Sequence, residues 1–453
     1  MISVSGIRGI VGEGLTPEVT TAYAAAFGSY CGGGKVIVGR DTRTTGEMVR
    51  HAALAGLLAV GCDVVDLGIV PTPTIELAVA KSDASGGIAF TASHNSDEWN
   101  ALKFFSADGI FLDEVQAREL NAIKDDWKVD YVPWSKIGHV SLYQGAVDDH
   151  ISAVLQDTMF DLPVIRKRNF RVAVDAVCGA GCYLLPQFLA ELGCEVVKVN
   201  CEIKGRFPRN PEPLPEYLGD LCNKVKEESC DLGLALDPDA DRLAIIDDKG
   251  EPIGEENTLV IAARLVLKHK PGPLVTNVSS TRALDDIAKD AGVPIHRTKV
   301  GEIHVVKKMQ DVKAAIGGEG NGGVIYPGVH LGRDSAVGTA MVLQALIEAD
   351  CSLSEFMKSM PDYTMAKTKI SIEDYHRDEL LAALHSHFKN DEQDRTDGLK
   401  IIRQNGWFQM RPSNTEPVIR IYAEGEDQHS ADAFIREGTE ALEKLFPQAG
   451  SDE

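Results

Sequence analysis

A strand–helix–strand alternation recurs three times along this 453-residue chain, and it leaves few folds open. Lys35-Val36-Ile37-Val38-Gly39 reads as a buried strand, residues 45–60 carry helical periodicity, and Asp63-Val64-Val65-Asp66-Leu67 reads as a strand again. Pro71-Thr72-Pro73 then opens a short helix at about 74–81. The second pass runs Phe170–Asp175, 181–192 and Cys194–Val199; the third runs Leu274–Val278, 280–291 and Ile295–Lys299. Parallel strands need crossover helices, so such units build sheets covered on both faces. After about residue 362 the order changes to a strand (Ala366–Ile372), a helix (374–388), strands at 399–404, 406–411 and 418–424, and a helix at 428–446. That is an α+β arrangement. A chain this long exceeds a single core, and its divisions are expected at 1–150, 151–254, 255–365 and 366–453, with the last six residues, 448–453, frayed.

Asp237-Pro238-Asp239-Ala240-Asp241-Arg242 sets three carboxylates on alternate residues after the apolar run Leu232–Leu236. Charges so close raise one another's pKa unless a cation sits among them, and an all-oxygen donor set favours a hard ion such as Mg2+ over Zn2+. Extended residues two apart are separated by roughly 6.6 Å, too far to share one ion at about 2.1 Å, so the loop must curl, with Pro238 helping to fix the turn. A solvated acidic turn is the plain alternative.

A second loop, Phe90-Thr91-Ala92-Ser93-His94-Asn95, tips the balance. Ser93 follows the strand-like run Gly87–Phe90, at the end where open α/β sheets place ligands. Lys103, ten residues on, could fold back toward it. Ser93 is therefore expected to carry a phosphoryl group, with Mg2+ bridging it to Asp237, Asp239 and Asp241. Two further loops stand out. Gly318-Glu319-Gly320-Asn321-Gly322-Gly323 lets backbone approach a ligand, with Glu319 and Asn321 suited to sugar hydroxyls or an amine. Arg411-Pro412-Ser413-Asn414-Thr415-Glu416-Pro417 offers a guanidinium, hydroxyls and backbone N–H groups to a phosphate dianion.

Formal charge is −22 (46 basic against 68 acidic residues), which repels nucleic-acid backbones. A phosphorylated substrate would need a locally basic site, for which Arg8, Arg40, Arg43 and Arg411 are candidates. Nine scattered cysteines with no C-x-x-C pair read as reduced core thiols. Neither a signal-like h-region nor an 18-residue apolar stretch occurs, so no membrane partner and a cytoplasmic location are expected. The sequence leaves the oligomeric state open.

Together the four loops resemble those of the α-D-phosphohexomutase superfamily, which comprises phosphoglucomutases, phosphomannomutases and phosphoglucosamine mutases. TASHN resembles its phosphoserine loop, DPDADR its magnesium loop, GEGNGG its sugar-recognition loop and RPSNTEP its phosphate-binding loop, in the expected order. The resemblance implies three similar α/β/α domains with mixed sheets and a smaller C-terminal α+β domain around a central cleft. It implies interconversion of hexose or hexosamine 6-phosphate and 1-phosphate through a phosphoserine enzyme, with one Mg2+ and a sugar 1,6-bisphosphate activator. Ser93 would be the phosphoryl carrier and a metal ligand with the three aspartates. Arg8 would sit near the reacting oxygen, Lys103 would assist proton transfer and His94 would tune the serine. Arg242 would follow the metal loop into the cleft, and Glu319 and Asn321 would read the sugar. Arg411, Ser413, Asn414, Thr415 and Arg420 would grip the phosphate that stays. The chain departs from many members at Ser96 (usually proline), at Asn321-Gly322-Gly323 (S-G-H) and at Glu302 (a histidine in some). GEGNGG with Val300-Gly301-Glu302-Ile303 resembles phosphoglucosamine mutases, a phosphomannomutase/phosphoglucomutase being the close alternative. An Mg2+-dependent sugar phosphatase and a non-enzymatic sugar-phosphate sensor are the rivals from other classes.

Overall fold

The computed structural model describes residues 2–3, 6–372, 376–413 and 418–446. Asn414, Thr415 and the expected frayed tail at 448–453 lie outside the described residues, as does the start expected at 374 for one helix. Four sheets follow one another along the chain. The first has seven strands in the order Ile2–Ser3, Gly6–Ile10, Trp99–Ser106, Gly86–Phe90, Val36–Arg40, Val64–Ile69, Val140–Leu142. The second orders Leu243–Ile246, Leu232–Leu236, Arg171–Asp175, Glu195–Val199, and the third Gly323–Ile325, Ile316–Glu319, Leu274–Asn277, Ile295–Thr298. The fourth is antiparallel, with Thr364–Ser371, Val418–Gly425, Gly406–Pro412, Leu399–Arg403 and Glu392–Asp394 side by side.

The first three sheets share one plan. In each, a strand parallel to its neighbour ends at the loop edge, and the chain returns beside it antiparallel. The three pairs are Gly86–Phe90 with Trp99–Ser106, Leu232–Leu236 with Leu243–Ile246, and Ile316–Glu319 with Gly323–Ile325. The serine, aspartate and glycine-rich loops are the three equivalent turns. The sheets are therefore mixed, as the family resemblance implied, although alternation alone points only to parallel strands.

Central strands such as Leu232–Leu236 and Gly86–Phe90 are buried along their whole length, hence their unbroken small and apolar runs. One continuous core joins the second and third units and another lies under the first helix pair, while the C-terminal sheet packs its own core against the helix Gln428–Leu445. Helix ends are set locally. Thr16 and Pro17 start Pro17–Tyr30, and Asp113 with Gln116 forms a capping box at Glu114–Asp125. No described helix is long and apolar enough to cross a membrane. The described cysteines are all unpaired thiols, as expected.

Candidate active site

The serine loop and the aspartate loop meet. Ser93 Oγ donates a hydrogen bond to Asp237 Oδ2 at 2.9 Å, and both side chains are buried. Each loop bends through a left-handed non-glycine residue, Ser93 at φ 50° and Ala240 at φ 54°. Such a conformation costs of order 1 kcal/mol or more and persists only where surroundings enforce it.

Arg43 does the enforcing for Ser93. Its guanidinium, fully buried, donates to the carbonyls of Ser93 (2.5 Å), Asn95 (2.7 Å), Ser96 (2.6 Å) and Trp99 (3.2 Å) while Nε pairs with Asp41 Oδ2 at 2.9 Å. Asp41 also accepts from Thr91 Oγ1 at 2.7 Å. Arg43 is thus a strut inside the loop, not the substrate-facing cation expected from its context. Arg40 pairs with Glu47 at 2.5 Å. Arg8 donates to Asn95 Oδ1 at 2.6 Å, which brings it onto the serine loop.

The aspartate loop curls as anticipated: one oxygen of each of Asp237, Asp239 and Asp241 lies within 4.8 Å of the others. All three are buried, and Oδ1 of Asp239 and Oδ1 of Asp241 have no hydrogen-bond partner among the described residues. Burial, then Asp241 and Asp239, push the Asp237 carboxyl well above the usual range. For Asp239 burial pushes upward too, but the Lys103 ammonium and hydrogen bonds outweigh it and hold that carboxyl low. Converging carboxylate oxygens, with no nitrogen or sulfur donor among them, fit a hard divalent cation.

Lys103 Nζ lies 2.6 Å from Asp239 Oδ2 and 3.9 Å from Asp241 Oδ2, so its charge is directed to the aspartate trio that Ser93 meets. Thr72 reinforces the pairing, donating Oγ1 to Asp239 Oδ2 at 2.7 Å and N–H to its carbonyl at 3.0 Å. His94 Nδ1 is 3.4 Å from Ser93 Oγ. Desolvation, with Arg242 and Arg8 nearby, lowers the His94 pKa well below the ordinary value.

Arg333, absent from the expected set, ties two loops together. It reaches Asp241 Oδ2 (2.5 Å), Glu302 Oε2 (2.9 Å) and Glu319 Oε2 (3.1 Å). Glu319 also accepts from Gly301 N (2.9 Å) and Asn277 Nδ2 (3.0 Å). Asn321 Oδ1 is buried without a partner among the described residues and lines the cleft. Glu256 sits against Gly320, where an added Cβ would come within 2.0 Å of its carboxylate and would have to displace it.

The cleft draws on all four units: His94; Glu212 and Arg242, paired at 2.9 Å; Glu256, Glu319 and Asn321; and Lys367, Arg411 and Arg420. Arg411 and Arg420 are direct cross-strand partners, and like charges so placed are unfavourable unless an anion sits between them. Arg411 also pairs with Asp397 at 2.8 Å, and Ser413 N–H bonds Val418 O at 2.8 Å.

Four family descriptions match the chain in order. They are phosphoglucomutase/phosphomannomutase alpha/beta/alpha domains I (residues 2–129), II (148–250) and III (254–363), and the C-terminal domain (372–440). A probable phosphoglucosamine mutase of Methanopyrus kandleri is 37% identical over 94% of this chain and 94% of its own length. A phosphoglucomutase/phosphomannomutase of Thermococcus kodakarensis is 38% identical over 97% of this chain and 98% of its own. The crystal structure of a phosphoglucomutase/phosphomannomutase family protein from Burkholderia thailandensis superposes with a TM-score of 0.86 at 28% identity, covering 100% of both chains.

Proposed function

The chain belongs to the phosphoglucomutase/phosphomannomutase family and is a phosphohexomutase, an isomerase; we propose that it interconverts glucosamine 6-phosphate and glucosamine 1-phosphate through a phosphoryl group on Ser93. The observation that carries this reading is the 2.9 Å contact between Ser93 Oγ and the buried Asp237, beside two more carboxylates. A seryl phosphate there would add about two negative charges to a trio already hard to ionise. Asp237, Asp239 and Asp241 would hold Mg2+ together with that phosphate. When bound, the ion supplies charge neutralisation on the transferring group.

In the first transfer the bond between phosphorus and Ser93 Oγ breaks and one forms to the free sugar hydroxyl, whose proton leaves for a neighbouring base; Lys103, an ammonium paired with Asp239, would assist that transfer through its charge and not by accepting the proton. The resulting 1,6-bisphosphate turns over in the cleft and returns its other phosphoryl group to Ser93 Oγ. Positioning and electrostatics do most of this work. Arg8 and Arg242 face the reacting side. Arg411 and Arg420, with Ser413, Asn414 and Thr415, would hold the phosphate that stays, whichever end it occupies. Glu319 and Asn321 would read the hydroxyls between.

The glucosamine preference rests on relatives named probable phosphoglucosamine mutase. The Thermococcus relative supports a second reading, phosphomannomutase/phosphoglucomutase. Rates with glucosamine, glucose and mannose phosphates on one preparation, with catalytic 1,6-bisphosphate and Mg2+ present, separate the two. A kcat/KM highest for glucosamine phosphate is expected. Free phosphate as main product would instead identify a phosphatase, and binding without turnover a sensor.

A further inference from the structure

Asp334 uses only one oxygen to cap the helix Ser335–Ala349: Oδ1 accepts from Ala336 N at 2.8 Å and Val337 N at 3.3 Å. Its other oxygen, Oδ2, lies 2.7 Å from His150 Nε2 and 3.1 Å from His330 Nε2. Both imidazoles have company at the far nitrogen. His150 Nδ1 is 2.9 Å from Thr74 Oγ1, and His330 Nδ1 is 3.9 Å from Glu76 Oε2. His150 is 0% exposed, Asp334 and Glu76 1% each, and His330 8%. Neither oxygen of Glu76 has a hydrogen-bond partner among the described residues. Burial, with Glu302 and Asp241, pushes the Glu76 carboxyl well above the usual range, against the pull of the Lys103 and Arg333 cations.

We propose that His150 Nε2, His330 Nε2 and Asp334 Oδ2 form a second metal site, for Zn2+ or a divalent ion of similar softness, with Glu76 beside it. Two imidazole nitrogens and one carboxylate oxygen select such an ion over Mg2+. The far nitrogen of His150 fits as well: metal-bound histidines commonly donate their other N–H to a hydroxyl or carboxylate, which fixes ring and tautomer. Thr74 occupies that place for His150, while His330 Nδ1 has no hydrogen-bond partner among the described residues and Glu76 stands 3.9 Å from it. Zn2+ bonds of about 2.0–2.1 Å in a tetrahedral arrangement set ligands roughly 3.3 Å apart, so the present 2.7 and 3.1 Å contacts would open by about 0.6 and about 0.2 Å.

The site would be structural. It joins the helices Thr72–Ala80 and Ala146–Leu155 to the turn before Ser335–Ala349, and that turn carries Arg333, the partner of Asp241. With His150 wholly enclosed, the ion would enter as the chain folds.

The test is the metal content, by inductively coupled plasma mass spectrometry, of full-length protein expressed in medium containing Zn2+ and desalted without chelator. One equivalent of Zn2+ is expected in the wild type and in Asp237→Asn, which removes one carboxylate of the aspartate trio without stranding Lys103 or Arg333, and less than a tenth of that in His330→Gln. Protein expressed with Co2+ gives a second readout that needs no variant: strong visible bands of four- or five-coordinate cobalt are expected. Wild-type protein without stoichiometric metal, equal Zn2+ in His330→Gln, or a weak six-coordinate cobalt spectrum would each overturn the proposal. The cluster would then be a hydrogen-bonded network in which both Nε2 atoms carry protons toward Asp334.

Discussion

Lys103 Nζ lies 2.6 Å from Asp239 Oδ2, a contact that joins residues 136 positions apart. The ammonium is buried at 4% exposure, and Asp239 and Asp241 raise its pKa against the opposing effect of burial. Lys103 and Arg333 supply the positive charge that lets the acidic loop fold. Lys103→Met should therefore cost about 3–5 kcal/mol, the usual penalty for removing one partner of a buried pair. Saturating Mg2+ should recover part of the loss by replacing the missing charge. Urea unfolding with and without Mg2+ measures both effects; identical midpoints for variant and wild type in the absence of Mg2+ would contradict this pairing.

Arg43→Met should unfasten the serine loop. The substitution strands Asp41 and removes donors to four carbonyls, so a loss of about 3–5 kcal/mol is expected. Turnover should fall with it, since Ser93 holds its left-handed conformation only under that constraint. Arg43→Lys should rescue little, because one ammonium cannot span the same fan of acceptors. Thermal unfolding and kcat on both variants check this.

Stability should vary with pH through Glu256, whose carboxyl is pushed up to about 8 by desolvation. The folded protein keeps the proton that the unfolded chain releases near 4.5. This group's contribution is thus fully present below about pH 4.5 and is lost as pH rises through about 8. Glu256→Gln should flatten that slope: relative to wild type, its melting temperature should rise between about pH 5 and about pH 8.5. Parallel melting curves across this range would sink the prediction.

Arg411→Ala should raise KM about 10–100-fold with a smaller change in kcat, the size expected for one charge-assisted hydrogen bond. Steady-state kinetics at fixed Mg2+ and bisphosphate decide it; unchanged KM would remove Arg411 from the phosphate cradle.

The sequence made some of this visible and hid the rest for physical reasons. Leu232–Leu236 and Gly87–Phe90 read as strands because burial on both faces demands unbroken small or apolar residues. Trp99–Ser106 did not, since Asn100 and Lys103 interrupt its pattern. Both are buried nonetheless, satisfied by Thr45 and Asp239 from elsewhere in the chain. The loops bearing Ser93 and Asp237 were legible because their chemistry is local: small, polar or acidic residues directly after strands. Arg43 and Arg333 were not, because an arginine's role depends on which acceptors surround it. Gly-Arg-Asp-Ser at 332–335, a cation just ahead of a capping Asp-Ser, was the one available signal for Arg333. Arg43 was drawn into the expected basic site by loop context, and Asp41 with the carbonyls of the serine loop removes it from there.

The central claim is that Ser93 Oγ takes and gives a phosphoryl group. Peptide mass mapping after incubation with a hexose or hexosamine 1,6-bisphosphate and Mg2+ addresses it directly. One added phosphoryl group on the peptide containing Ser93 is predicted, removable by excess sugar monophosphate. Ser93→Ala should remain folded, lack the label and lose at least about 1,000-fold in turnover. An unlabelled Ser93 in active enzyme, or a fully active Ser93→Ala, would contradict the account.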